Sequence, residues 1–498
     1  MNKKPKNLLR ICLCSLAILF SVACFVSARW YIAIFGDVGF DSILYTLLSD
    51  LSTTESTTVG NYLINALVPI ILVSGFLIGL LFIRTKKPII SIKGVKIYPL
   101  SDKVSVVLSL VIAAALIANA AVTTRLVEYA VTRVQKSNLY ETEYADPKDV
   151  KIEFSENKRN LIVIYLESME TTYFDKQNGG ANEQNLIPEL YSLAQENLNF
   201  SHNQGVGGFG VFQGTSFTTG AILSSTSGVP LKVKLALGSN GYSTDETFLP
   251  NLETLMEVLN EEGYYQTFMV GSAAEFGGRK QYLESHGIDK IYDHSTAVTD
   301  GIIPEGYHVW WGMEDYYLFE YAKKQLTEIS KREEPFAFSM LTVDTHHIGG
   351  YICEKCKTDH AEQYENAISC SSRQAAEMVE WIKEQDFFEN TTVIVTGDHL
   401  SMDGGYISRN VPSDYQRHVY NCFINSAITT DNTKNRVYAA IDLFPTILAS
   451  MGCKIEGDRL GLGTNLFSDR PTLLEEFGAD AFKKEIQKSS TYYNENFY

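Results

Sequence analysis

Positive charge is what this 498-residue chain has too little of: 42 Lys and Arg face 59 Asp and Glu, a formal net charge of -17. With a pI near 5.1, the basic footprint that nucleic-acid binding demands is missing, so nucleic acid is excluded as a partner. Internal repeats and low-complexity tracts are missing too, which sets repeat architectures aside. Cysteine is scarce: there are 8, of which Cys12, Cys14 and Cys24 fall in an apolar segment and read as small hydrophobes. No small-residue cleavage site follows the first apolar run, so that run reads as an anchor rather than a removed signal peptide.

What the chain does have divides sharply. A mean hydropathy of -0.06 averages a membrane-like first part with a soluble α/β remainder. Residues 8–28, 62–83 and 104–122 are apolar and each about long enough to cross ~30 Å of hydrocarbon, giving a membrane domain over 1–123. Lys3, Lys4, Lys6 and Arg10 precede or open the first span, and Arg84, Lys86, Lys87, Lys93, Lys96 and Lys103 fill the loop between the second and third. The loop after the first span carries Asp37, Asp41, Asp50 and Glu55 instead. The positive-inside rule makes the basic ends cytoplasmic and places everything after about Thr123 outside, extracellular or periplasmic. Phe40, Ile43, Leu44, Leu47, Leu48 and Leu51 fall at helical spacing, opposite Asp41, Ser49 and Asp50. That pattern predicts either an interfacial helix on the outer leaflet or a helix packed on the neighbouring spans.

Residues 124–158 read as a helix followed by a linker, 159–470 as the main domain and 471–498 as a helical tail with one helix over Leu473 to Gln487. Within the main domain, Leu161 to Leu166, 266–270, 336–343, 391–396 and 419–424 are strand-like runs. They alternate with helical stretches at 190–198, 252–262, 316–329, 372–384 and 439–451. The fold class is therefore α/β, a mostly parallel sheet covered by helices. In such a sheet the ligand crevice lies beyond the carboxyl ends of the strands. Three of these runs end in Glu167, in Asp344-Thr-His-His347 and in Asp398-His399, together the ligand types of a divalent-metal site. Glu167 alone could equally cap the next helix. A glycine- and hydroxyl-rich stretch, Gly205 to Leu231, offers close backbone approach and a hydroxyl at a helix start that a neighbouring metal could activate; a plain Ser/Thr-rich loop and cap is the alternative.

Taken in order, N-L-I-V-I-Y-L-E-S, G-T-S-F-T-T-G with S-G-V-P-L, F-G-G-R, T-V-D-T-H-H, V-T-G-D-H and A-I-D-L-F-P-T-I-L resemble the lipoteichoic acid synthase and phosphoglycerol transferase family. That family has a sulfatase-like domain of the alkaline phosphatase superfamily, and the likeness runs from about Asn160 to Phe467. The resemblance implies that Glu167, Asp398 and His399 bind one divalent metal, Mn2+ or Mg2+, with Thr218 as fourth ligand and nucleophile; Thr219 and Thr215 are its rivals. It implies that Arg279 grips substrate phosphate and that His346, with His347 and His418 behind it, binds substrate. The synthases carry tryptophan where this chain has Gly277, and three spans rather than the usual five. The C-x-P-x-R motif of true sulfatases is absent, which speaks against sulfate ester hydrolysis.

The resemblance thus implies a bacterial multi-pass membrane enzyme that takes glycerol phosphate from phosphatidylglycerol, or a similar phospholipid, to an envelope glycan or teichoic-acid-type polymer. A phosphoethanolamine transferase and a non-catalytic glycan-binding module are the alternatives. For Cys353, Cys356 and Cys370, disulfide pairing is the first expectation outside the cell, with one thiol left over, connectivity open, and a zinc knot as the alternative.

Overall fold

The structure, a computed structural model, describes residues 4–36, 39–48, 56–83, 90–92, 95–97, 99–233 and 247–498. Arg84, Lys86, Lys87 and Lys93 of the basic loop lie outside the described residues, as do Lys3, Asp37, Ser49, Asp50, Leu51 and Glu55. The chain forms two compact units, Met1–Phe40 with Glu55–Ala130, and Asp41–Thr54 with Val131–Tyr498.

Among the described residues of the first unit three helices are long and apolar enough to cross a membrane, over Leu8–Phe35, Thr58–Phe82 and Asp102–Thr123. The first belongs to helix α1, Lys4–Phe35, and runs past the expected end at 28. Trp30 Nε1 donates to Asn61 Oδ1 at 2.8 Å and Ser27 meets Tyr62 through their hydroxyls at 3.0 Å, so polar groups near the helix end have partners. Ile18, Val22 and Leu81 are buried between helices, whereas Phe20, Ile64, Leu72, Phe76 and Val122 stay exposed. Apolar side chains facing outward on all three helices fit lipid as their solvent.

Helix α2, Phe40–Leu48, departs from expectation. Its buried residues are Asp41, Ser42, Leu44 and Tyr45, while Leu47 is 66% exposed. All but Phe40 belongs to the second unit. On the buried side Asp41 Oδ2 has a partner far along the chain, accepting from Gly214 N at 3.1 Å, while Asp41 Oδ1 and Ser42 Oγ are buried without a hydrogen-bond partner.

The second unit is built on a seven-stranded sheet. Its strands are β1 Asn160–Leu166, β2 Gly208–Phe209, β3 Tyr265–Val270, β4 Lys290–Tyr292, β5 Phe336–Leu341, β6 Thr391–Gly397 and β7 Val419–Ile424. The order is β2-β7-β6-β1-β5-β3-β4. The pairs from β6 through β4 are parallel, and β7 is antiparallel to both β6 and β2. The expected mostly parallel sheet is thus present. β1 lies at its centre, buried along nearly its whole length, as an unbroken apolar run requires. Ile162, Ile164 and Leu166 enter a core with Leu190, Met378 and Val379 from helices on that side.

Several helices differ in extent. The one expected at 372–384 begins earlier, Gln363–Lys383, and takes in Cys370. The one expected at 439–451 splits into a 3-10 turn and Leu443–Ser450, with Pro445 inside its first turn, where its missing N–H does least harm. The tail is three helices, Leu473–Phe477, Ala479–Gln487 and Thr491–Asn496, the first two parted by Gly478 at φ +79. Residues 124–158 are folded rather than free: helix Leu139–Glu143 buries Tyr140, whose ring packs edge-on against Tyr493 at 5.4 Å. Cys356 and Cys370 form a disulfide, leaving Cys353 a buried thiol.

Candidate active site

The register of the sheet builds the centre of the site. Leu166 of β1 pairs with Gly397 of β6, so the next residues, Glu167 and Asp398, leave the sheet side by side. Ser168 then takes φ +54, and its N–H donates to Asp398 Oδ1 at 2.8 Å while its hydroxyl donates to Glu167 Oε1 at 2.6 Å. Glu167 N–H is held by Thr342 Oγ1 at 2.9 Å, and Thr345 Oγ1 donates to the Glu167 carbonyl at 2.5 Å. These bonds to Thr342 and Thr345, just past β5, orient the carboxylate.

His399 Nε2 lies 3.6 Å from Glu167 Oε1 and 3.3 Å from Asp398 Oδ2. One ligand atom from each of Glu167, Asp398 and His399 lies within 4.8 Å of the others. His399 Nδ1 lies 2.8 Å from the Leu400 carbonyl. A carbonyl only accepts, so Nδ1 carries the proton and Nε2 presents its lone pair to the carboxylates, the tautomer a metal ligand needs.

All three residues are 2% exposed, and two carboxylates so deeply buried demand a positive charge beside them. Burial and then the nearby Glu167 push the Asp398 carboxyl up. Burial disfavours the His399 cation, but Asp398 and Glu167 more than offset it and raise its pKa. Asp398 Oδ2 is buried without a hydrogen-bond partner. An orphaned carboxylate oxygen, a second carboxylate and a correctly tautomerised imidazole fit a divalent cation of the harder kind.

Of the three candidate hydroxyls, only Thr218 faces this cluster. It is the first residue of helix α3, Thr218–Ser227, with Oγ1 3.5 Å from Glu167 Oε2 and 3.3 Å from His399 Nε2. Thr219 Oγ1 instead donates to the Gly277 carbonyl at 2.9 Å, and Thr215 Oγ1 bonds the backbone of Phe212. A hydroxyl at a helix start also sits where the helix dipole favours negative charge.

Arg279 approaches through the Gly277-Gly278 turn, both residues at positive φ. Its Nη2 donates to Ser272 Oγ and to the Ala273 carbonyl, each at 2.8 Å, while Nε is buried without a partner. Burial pulls its pKa down to about 10, against the raising pull of Glu167, so it stays charged near neutrality. Its guanidinium lies 5.6 Å from the Phe276 ring, which packs on Trp311 at 5.1 Å, and Trp311 lies 4.4 Å from the His346 ring. His346 Nδ1 lies 2.7 Å from the His347 carbonyl and so donates, leaving Nε2 as an acceptor. Burial lowers its pKa to about 4, which keeps the imidazole neutral. His347 stacks on it at 4.3 Å.

Two expected residues stand apart from the centre. His418 stacks on His202 at 3.5 Å and its Nδ1 lies 3.1 Å from the Gln416 carbonyl; burial, with His202 beside it, lowers its pKa to about 4. Asp344 bends away, beside Asp315, whose carboxylate accepts from the Val343 and Asp344 N–H groups. Other residues were not foreseen in the sequence. Ser272 anchors Arg279, Trp311 bridges to His346, and Arg417 pairs with the buried Glu170, whose Oε1 accepts from Ser401 N. Nothing but its residue type marks each of these in sequence.

Comparison with known proteins gives the family and the fold. The family model described as Sulfatase matches residues 159–453. Phosphoglycerol transferase I of Citrobacter koseri is 33% identical over 253 residues, 49% of this chain and 31% of that protein. Phosphoglycerol transferase I of Escherichia coli is 32% identical over 252 residues, again 49% of this chain and 31% of that protein. The match thus spans about a third of the length of these curated relatives. The crystal structure of the lipoteichoic acid synthase LtaP from Listeria monocytogenes superposes with a TM-score of 0.50 at 18% identity, covering 68% of this chain and 93% of that one. At that identity the likeness concerns the fold.

Proposed function

Because the chain belongs to the sulfatase family, we propose that it is a membrane-anchored, divalent-metal-dependent phosphotransferase with Thr218 as nucleophile. The donor is phosphatidylglycerol and the acceptor a hydroxyl of an envelope glycan or teichoic-acid-type polymer. The catalytic unit lies on the outer side of the membrane. The observation that carries this reading is the convergence of Thr218 Oγ1 on Glu167 and His399 within 3.5 Å, at a helix start, with a buried arginine nearby. The absence of the C-x-P-x-R motif sets sulfate ester hydrolysis aside.

In the first step Thr218 Oγ attacks phosphorus, the bond from phosphorus to the diacylglycerol oxygen breaks, and diacylglycerol leaves with a proton. In the second an acceptor hydroxyl attacks the same phosphorus, the bond from phosphorus to Thr218 Oγ breaks, and the acceptor's proton passes to the released Thr218 Oγ. Mn2+ or Mg2+ held by Glu167, Asp398, His399 and Thr218 would supply the charge that acidifies the threonine hydroxyl and offsets the phosphoryl oxygens. Arg279 meets those oxygens with its unpaired Nε–H. Neutral His346, with Nδ1–H tied to a carbonyl, accepts a hydrogen bond from a glycerol hydroxyl or takes the acceptor's proton through Nε2.

The test is direct. Incubating the purified full chain with labelled phosphatidylglycerol and Mn2+ is expected to leave a glycerophosphoryl group on Thr218, seen by peptide mass spectrometry, with release of diacylglycerol. No adduct on Thr218 sinks the proposal. Faster diacylglycerol release from phosphatidylethanolamine than from phosphatidylglycerol would move the reading to a phosphoethanolamine transferase.

A further inference from the structure

Helix α2 belongs in sequence to the loop between the first two membrane-length helices, yet its buried side lies against the nucleophile's own loop. Asp41 Oδ2 accepts from Gly214 N at 3.1 Å, at a turn where Gly214 takes φ +86. The Tyr45 ring packs on Phe217 with centroids 4.6 Å apart. The Tyr45 hydroxyl donates to the Gly277 carbonyl. That carbonyl accepts a second bond, from Thr219 Oγ1 at 2.9 Å. Phe217 and Thr219 flank Thr218, so Tyr45 packs directly on one neighbour of the nucleophile and shares the Gly277 carbonyl with the other. The same carbonyl lies two residues before Arg279.

The arrangement is closely fitted. Tyr45 is 6% and Asp41 1% exposed. A Cβ at position 277 would meet Thr219 Oγ1 at 2.9 Å, with φ already +62, so only glycine lets this carbonyl face both donors. Burial pushes the Asp41 carboxyl up to about 6, and its Oδ1 is buried without a hydrogen-bond partner. A carboxyl and a phenol placed this deep against a catalytic loop are hard to account for as packing alone, because each carries a desolvation penalty that an apolar side chain would avoid.

We propose that α2 is a wall of the catalytic site and that Tyr45 is a positioning residue for Thr218 and Arg279, an inference that rests on reading Thr218 as the nucleophile. Tyr45 touches no reacting atom. It fixes the separation between the attacking hydroxyl and the guanidinium that meets the phosphoryl oxygens. A catalytic unit lacking Asp41 and Tyr45 would lack this wall, so α2 is part of the enzyme's active site and not only a tether.

The experiment uses the full chain in detergent with phosphatidylglycerol and Mn2+, comparing wild type with Tyr45→Phe and Tyr45→Ala. Tyr45→Phe keeps the ring on Phe217 and deletes only the hydroxyl. It is expected to slow formation of the Thr218 adduct at saturating lipid about tenfold, with the half-saturating lipid concentration changed less than about twofold. Hydrogen exchange of peptides spanning 212–220 is expected to quicken in Tyr45→Phe and further in Tyr45→Ala. Wild-type adduct rate and wild-type exchange in both variants would overturn the role of Tyr45. So would a change confined to half-saturation. A wild-type chain that forms no adduct overturns the nucleophile reading and the catalytic part of this inference with it, and the exchange data then decide the bracing of the loop alone.

Discussion

Two acidic clusters stand beyond neighbouring strands of one sheet, and they handle buried charge in opposite ways. After β1 and β6, Glu167 and Asp398 face the His399 imidazole, with Arg279 near enough to feel both. After β5, Asp344 lies beside Asp315, both 0% exposed, and the charged groups acting most strongly on them are other carboxylates. Burial, then Asp315, holds the Asp344 carboxyl well above the usual carboxylate range; burial raises Asp315 too, despite its two backbone N–H bonds. Both Asp344 oxygens lack a hydrogen-bond partner. A buried carboxylate can face a cation or keep its proton. The first cluster is arranged for the former and the second for the latter, so only the first is equipped for phosphoryl chemistry.

That contrast can be broken at several strengths. Thr218→Ala removes the hydroxyl that the first cluster serves, and turnover is expected to fall about 10³-fold or more with no peptide adduct by mass spectrometry. Asp398→Asn keeps shape and removes charge, and is expected to cost about 10²- to 10³-fold in turnover together with weaker Mn2+ binding by calorimetry. Chelation of the wild-type chain should abolish turnover, lower its melting temperature through lost ligand linkage, and be reversed by Mn2+ or Mg2+. Arg279→Lys keeps the charge but loses the planar fork, for a drop of about 10- to 100-fold in kcat/KM.

The smallest effect sharpens the other side. Asp344 has a raised folded pKa, so above the ordinary carboxylate range the folded chain holds a proton that the unfolded chain has lost, and stability falls as pH rises through that window. Asp344→Asn lacks this loss. It is expected to leave turnover within about threefold and to melt about 2 °C above wild type near pH 8, for about 1 kcal/mol, with the gap closing toward pH 4. A Asp344→Asn variant as inactive as Asp398→Asn would erase the distinction.

Much of this was readable from sequence because parallel strands write long apolar runs that stop at the crevice. Glu167 and Asp398-His399 announced themselves in that way, and so did the sheet. The choice of Thr218 over Thr215 and Thr219 was not readable from spacing, since all three hydroxyls are near in sequence and only side-chain direction at the start of α3 parts them. Asp344 looked equal to Glu167 at its strand end, but the chain turns it toward Asp315. The apolar stripe of α2 suggested lipid or the spans; its buried side instead carries Asp41 and Tyr45, whose partners at Gly214 and Gly277 lie about 170 and 230 residues away. Such matches leave no periodic trace. Gly478, by contrast, could have been read as a helix break within the tail.

The pairing of Leu166 with Gly397 also bears on how this protein can change over generations. The gap between Glu167 and Asp398 is measured out by counted residues along two strands. Losing one codon within β1 would shift Glu167 by about 3.3 Å and turn it to the opposite face, a lesion no single compensating substitution at Asp398 could mend. Lineages carrying this enzyme should therefore tolerate length variation in the loops far more freely than in the six or seven residues before either carboxylate.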